Sequence, residues 1–133
     1  MKQLFIITFL ILFISNKTTS RDIGQIEITT EDGIEVFQIE KYYLLKKNVI
    51  IISDDFKLNA DKVKAYFEKD LYDIIKIESE GSVELKSSKG LIAKGEKINF
   101  STKSEDIIVL GENSSLIYNE INMSSNEQIK VNN

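Results

Sequence analysis

The apolar positions in "FKLNADKVKAYF", residues 56–67, follow two periods at once. Phe56, Ala60, Val63 and Phe67 form a stripe at helical spacing. Phe56, Leu58 and Ala60 also alternate with polar residues, and after a change of phase so do Val63, Ala65 and Phe67, which is the pattern of half-buried strands. An internal repeat decides between the two. One unit recurs as "NVIIISDDFKLNADKVKAYF" from Asn48, "SVELKSSKGLIAKGEKINF" from Ser82 and "SSLIYNEINMSSNEQIKV" from Ser114. Val49, Val83 and Ser115 correspond, as do Leu58, Ala93 (within one residue) and Met123, and then Val63, Ile98 and Ile129. In the second copy, Gly90 and Gly95 would each cost a helix about 1 kcal/mol relative to alanine. Its Val83 and Leu85 alternate instead, as do Ile98 and Phe100. If the copies share a structure, residues 56–67 are two strands meeting at a bend near 59–61.

Further β-branched runs lie between the copies, "DIIKIESEG" (73–81) and "DIIVLGE" (106–112), and upstream come "QIEIT", "GIEVFQIE" and "YYLL". The polar segments "SDD", "SSKG" and "NE" read as turns. The pattern predicts an all-β domain of about ten short antiparallel strands, in a sandwich, jelly roll or solenoid. With no proline anywhere, every residue after the first keeps a backbone donor for strand ladders. "QIKVNN" carries strand patterning almost to the end, so the fold is expected to finish on an unpaired edge.

The first twenty residues have a different character. Lys2 precedes an apolar run from Leu4 to Ile14, followed by a polar stretch with Thr18 and Ser20 at small-residue spacing. This is the layout of a cleaved signal peptide, residues 1–20, leaving one domain over 21–133. Eleven residues of helix rise only about 16 Å, roughly half of a bilayer's hydrocarbon core. All 21 acidic residues but only 15 of the 17 basic ones follow Ser20. They are interspersed without a basic stripe, which argues against nucleic acid as a partner.

The chain has no histidine and no cysteine, so the usual general base, thiol nucleophile and soft metal ligand are missing. Asp54 and Asp55 read as turn residues, and Glu78 with Glu80 as the solvated face of a strand. "GLIAKGEK" (90–97) has the glycine spacing of a phosphate-binding loop, but Glu96 stands where that motif needs lysine. The serines of "KSSKG" and "NSSL" have no base to activate them. The reading is of a protein that is not an enzyme and needs neither cofactor nor metal.

What the chain has in quantity is an alternating apolar face. Val49, Ile51, Phe56, Leu58, Val63, Phe67, Val83, Leu85, Ile98, Phe100, Leu116, Ile121 and Ile129 are all expected to face one interior. That interior is either a filled core or a groove open to an apolar ligand, and periodicity does not separate the two.

The repeat resembles the OstA-like domain of the LptA family of lipopolysaccharide-transport proteins. The resemblance is carried by Asn48-Val49, Leu58-x-Ala60-Asp61-Lys62-Val63 and Tyr66 in the first copy. Gly81-Ser82-Val83 with Ala93 and Gly95-Glu96-Lys97 carry it in the second, and Gly111-Glu112-Asn113 opens the third without the valine. Lys47 stands in the place of the family's glycine. The resemblance implies an open, twisted β-jellyroll in the periplasm, with edge strands open at both ends. Its groove would shield the acyl chains of lipopolysaccharide (the lipid A part), lined by the residues from Val49 to Ile121 named above. It further implies end-to-end stacking of copies, between LptC-type and LptD-type partners, with residues 128–131 meeting residues 25–29 of a neighbour. A proline at Ile129 is then expected to remove a donor from that edge. The alternatives are an LptC-like component anchored by residues 1–20, a ligand-free structural or adhesive β-solenoid, and, ranked below these, an enzyme of the β-helix type.

Overall fold

The computed structural model describes residues 26–70 and 73–132, so the predicted signal peptide lies outside the described residues. The described chain forms ten strands: β1 (Glu27–Thr29), β2 (Ile34–Phe37), β3 (Tyr42–Ile52), β4 (Phe56–Phe67), β5 (Ile74–Ser87), β6 (Leu91–Ser101), β7 (Ile107–Leu110), β8 (Ser114–Tyr118), β9 (Ile121–Ser125) and β10 (Gln128–Val131). All pairings are antiparallel and join the strands into one unclosed sheet. The expected all-β, open jellyroll architecture is what the chain adopts.

The long strands β3 to β6 each serve two leaves of that sheet. The first half of β3 pairs with β2 and its second half with β1. Likewise the first half of β6 pairs with β8 and its second half with β7. The ladder slips between Lys46 and Val49, between Asn59 and Lys62, and between Glu80 and Val83. At these corners the strands cross from one leaf to the other. One leaf holds β1, the 49–52 part of β3, the 56–59 part of β4, the 83–87 part of β5, the 91–94 part of β6, β8 and β9. The other holds β2, the remaining halves, β7 and β10.

The slip settles the ambiguity of residues 56–67. Phe56, Leu58 and Ala60 are buried, then Val63, Ala65 and Phe67. A period of two, shifted by one residue at Asp61, keeps both halves of β4 facing the same interior. The bend falls where the sequence pattern put it. The repeat also maps onto geometry, with one shift: Val49, Val83 and Ser114, not Ser115, are the first buried residues after a corner, whereas "SDD", "SSKG" and "NE" are turns at the opposite ends of the strands.

The corners explain the family-like motif. Lys47, Asn48, Gly81, Ser82, Gly111 and Asn113 all have positive φ, a conformation that glycine and asparagine tolerate best. Lys47, in the glycine's place, adopts a φ of 67°. The bend of β4 contributes Asp61, whose side chain lies directly against Gly81 of the next corner; a Cβ there would sit 2.5 Å from its Oδ2 and 2.6 Å from its Cβ. Ser114, fully buried where the valine is missing, donates its Oγ–H to the Gly111 carbonyl at 2.7 Å.

The turns are held by shorter-range contacts. Ser53 Oγ accepts from the Asp55 and Phe56 amides, and Ser87 Oγ from those of Lys89 and Leu91. The outer faces carry rows of opposite charge and stacked rings. Lys62 and Lys97 flank Glu80, Lys86 and Lys94 flank Glu84, and Phe37 stacks on Tyr42, whose ring meets that of Tyr66 at a tilt across β3 and β4.

Gly33 and Gly81 share a φ near 90°, but nothing lies within 4 Å of a Cβ built on Gly33. Gly33→Ala should therefore cost only the left-handed backbone penalty, about 1–2 kcal/mol. Gly81→Ala should cost about 1 kcal/mol or more beyond that, because the added methyl displaces Asp61. Urea midpoints of the two variants measure the difference, and equal losses would show that corner packing is not limiting.

Candidate functional site

Eleven of the twelve residues expected to line a groove are buried. Val63 and Ile98 are completely so, and together with Val49, Ile51, Leu58, Val83 and Leu85 they pack into one continuous core between the leaves. Phe56 of one leaf meets Phe100 of the other edge to face, with centroids 5.1 Å apart. The middle of the interior is thus filled.

Ile121 departs from the expectation of burial. It is 61% exposed, although its side of the strand is the inner one: it pairs with Tyr118, and the adjacent inner pair is Leu116 with Met123. The alternation is right but the cover is missing, because β9 pairs only with β8 and the facing strand β10 has four residues. Tyr118 and Met123 are about 40% exposed for the same reason. The other end of the sheet mirrors this. Ile34 and Val36 pair with the buried Leu45 and Tyr43, so they lie on the inner face, yet they are 48% and 42% exposed. The apolar interior therefore reaches solvent at both ends.

At the β8–β10 end it widens into a cavity of about 320 Å³, at the small end of the range of ligand sites. Leu91, Phe100, Ile107, Leu116, Met123 and Val131 form its apolar wall, with Tyr118 beside them. Asp55, Ser87, Ser88, Lys89 and Glu105, all from turns or strand ends, form the polar rim. Of the residues expected to line a groove, Phe100 and Leu116 reach this cavity. Leu91, Ile107, Met123 and Val131 were not among them; "QIKV" carries the alternation that marks Val131 as an inner residue, whereas the unbroken apolar run of "DIIVL" leaves the facing of Ile107 open.

Two ion pairs join the turns. Lys89 Nζ donates to Glu105 Oε2 at 2.9 Å, and Lys103 donates to Glu68. The hydrogen bond to Glu105 raises the pKa of Lys89 above its usual value. The bond between Lys103 and Glu68 raises the one and lowers the other. Both pairs are solvent-exposed, so each is expected to contribute little to stability.

The remaining candidates have structural places. Asp54 and Asp55 sit exposed in the turn after β3, and Glu78 pairs with Lys76 at 3.1 Å on the outer face. Gly90 lies in a turn, and "LIAKGEK" continues as strand β6 where a phosphate-binding loop would open a helix.

Residues 30–133 match the model of the family described as "LptA/(LptD N-terminal domain) LPS transport protein". No curated protein sequence matches the chain. Among solved structures the fold is similar to that of LptH from Pseudomonas aeruginosa, described as the LptA homologous periplasmic component of the conserved lipopolysaccharide transport device. The TM-score is 0.69 at 14% identity, over 80% of this chain and 75% of the LptH chain. At that identity the likeness speaks for the fold.

If the interior is filled at Ile98 and open at Met123, truncating the two side chains has unequal costs. Ile98→Ala should destabilise by about 2–5 kcal/mol. Met123→Ala should cost under about 1 kcal/mol, since much of its surface is already wet. Thermal or urea unfolding distinguishes them, and similar losses would mean that the cavity wall is part of the core.

Proposed function

The chain belongs to the LptA and LptD N-terminal-domain family of lipopolysaccharide-transport proteins, and from that premise we propose that it carries lipopolysaccharide across the periplasm, its acyl chains shielded between the two leaves. The observation that carries the reading is the apolar interior left uncovered at both ends, with a cavity already formed at one of them. Each methylene kept from water is worth about 0.8 kcal/mol, so an acyl chain seated along such a surface gains in proportion to its length. The buried middle has to part to admit a chain along its full length; the cavity end is where entry begins.

In this reading, copies stack end to end between a membrane-anchored LptC-type protein and an LptD-type protein of the outer membrane. Ile34 and Val36 at one end and Tyr118, Ile121 and Met123 at the other are then covered by neighbours. The edges available for strand pairing are β1 and β2 at one end and β9 and β10 at the other.

Mass spectrometry of the protein purified without its first twenty residues tests the lipid directly, with lipopolysaccharide expected among the co-purified species. A photo-crosslinking residue at Met123 or Val131 should capture it, and one at Lys62 or Lys97 on the outer face should not. Equal capture at both sets would remove the support for an interior route.

The stacking test needs one correction from the register. The Gly111 amide donates to the Glu127 carbonyl at 2.9 Å, which makes 127 and 111 a hydrogen-bonded pair. By alternation the next such pairs are Ile129 with Val109 and Val131 with Ile107, so Ile129 spends its donor inside the ladder. Gln128 and Lys130 present theirs to the free edge. Lys130→Pro should therefore weaken self-association several-fold in sedimentation while the domain stays folded, whereas Ile129→Pro should loosen β10 itself. A Lys130→Pro variant that associates like its parent rules out pairing through β10.

A further inference from the structure

The two leaves share one apolar core and are joined covalently along one side by the corners; along the other side they meet through side-chain contacts, Phe56 with Phe100 and those between turns. The ion pairs of Glu80 with Lys62 and Lys97, and of Glu84 with Lys86 and Lys94, lie on the outer face of a single leaf. Lys103 and Glu68 tie together two turns of the same leaf. The pair of Lys89 and Glu105 is different. Lys89 lies in the turn between β5 and β6 in one leaf, and Glu105 in the turn between β6 and β7 in the other. Their 2.9 Å contact spans the rim of the cavity.

We propose that Lys89 and Glu105 form a latch over the cavity, and that an entering amphiphile opens it by taking Lys89 from Glu105 with an anionic headgroup while its acyl chain enters the cavity. The inference deepens the lipid-carrying reading and rests on it for the acyl chain. Three features converge on it. The wall accepts a chain of methylenes, since six of its side chains, from Leu91, Phe100, Ile107, Leu116, Met123 and Val131, are apolar. Lys89 is the basic residue among those lining the cavity, and a phosphate-type headgroup competes for its ammonium with the same charge-assisted hydrogen bonds that a carboxylate makes. The pair is solvent-exposed, with 68% of the Lys89 side chain accessible, so modest competition suffices to separate it.

The rim also sets a selectivity. Asp55 and Glu105 place two carboxylates around one ammonium, which disfavours a small free anion. A ligand that brings its own apolar tail offsets that repulsion by burying it. The latch thus admits anionic amphiphiles and turns away inorganic phosphate.

Isothermal titration with monododecyl phosphate and with uncharged dodecyl maltoside, both below their micelle concentrations, tests this with two surface variants. Glu105→Gln opens the latch and keeps the cation, whereas Lys89→Ala opens the latch and removes it. Both should bind the maltoside a few-fold more tightly than the parent. Glu105→Gln should bind dodecyl phosphate roughly tenfold more tightly than Lys89→Ala does. Inorganic phosphate at millimolar concentration should displace neither. Unchanged maltoside affinity in both variants would overturn the latch, and equal dodecyl phosphate affinity would overturn the role of Lys89. Displacement by inorganic phosphate would overturn the need for a tail. Failure of the parent and both variants to bind either amphiphile would instead remove the lipid-carrying reading, and the latch with it.

Discussion

The structure depends on the corner. A strand has side chains that alternate strictly, so a long strand passing from one leaf to another would turn its apolar face outward unless the alternation slipped. In β4 the slip lies between Asn59 and Lys62, in β5 between Glu80 and Val83, and in β3 between Lys46 and Val49. Each lets Val63, Val83 and Val49 resume the inward face after the bend. The cost is a backbone in left-handed conformations at residues 47–48, 81–82 and around 111–113. Close contact between neighbouring corners, Asp61 on Gly81 and Glu96 on Gly111, stacks them along one side of the molecule.

A chain folded in this way is quasi-one-dimensional. Each bent strand lays its two halves face to face and the next strand returns antiparallel beside it, so the middle strands are flanked on both sides and the terminal ones on one. That is why Leu45, Val63, Ile77 and Ile98 are fully buried while residues of the same facing in β2 and β9 are not. The cavity lies where the last strands, β9 and β10, are too short to fill the space beside β6, β7 and β8. Filled core and open groove are therefore successive regions of one interior.

The strands, the bend in β4 and the three copies of the repeat were legible in the sequence because each rests on local information: alternation, β-branched residues, and glycine or asparagine before a strand. Even the family-like motif has a local cause, since Asn48, Gly81 and Gly111 occupy positive φ and Asp61 packs on Gly81. What was not legible depends on which leaf covers which. Ile121 alternates as an inner residue should, yet the sequence around it does not say that the facing strand stops after four residues. Nothing in "SSKG" or "KSED" indicates that Lys89 and Glu105 meet, because that contact comes from the fold between leaves and not from either turn. The direction of the donor at Ile129 likewise depends on its pairing with Val109, a register the pattern of "QIKV" leaves free.

The two long sides of the molecule are held by different physics. At the corners the backbone itself crosses, and side chains such as Asp61, Glu96 and Ser114 are wedged against positive-φ positions, so separating the leaves there means breaking strands. At the turns the leaves are separate polypeptide ends. The exposed pair of Lys89 and Glu105 and the apolar contact of Phe56 with Phe100 meet across the gap. Burial of the two rings resists opening with a force that does not depend on salt, whereas the ion pair is screened by it. Any widening of the interior therefore hinges on the corners and begins at the turns. It begins most easily beyond Phe100, where the cavity already replaces packed side chains.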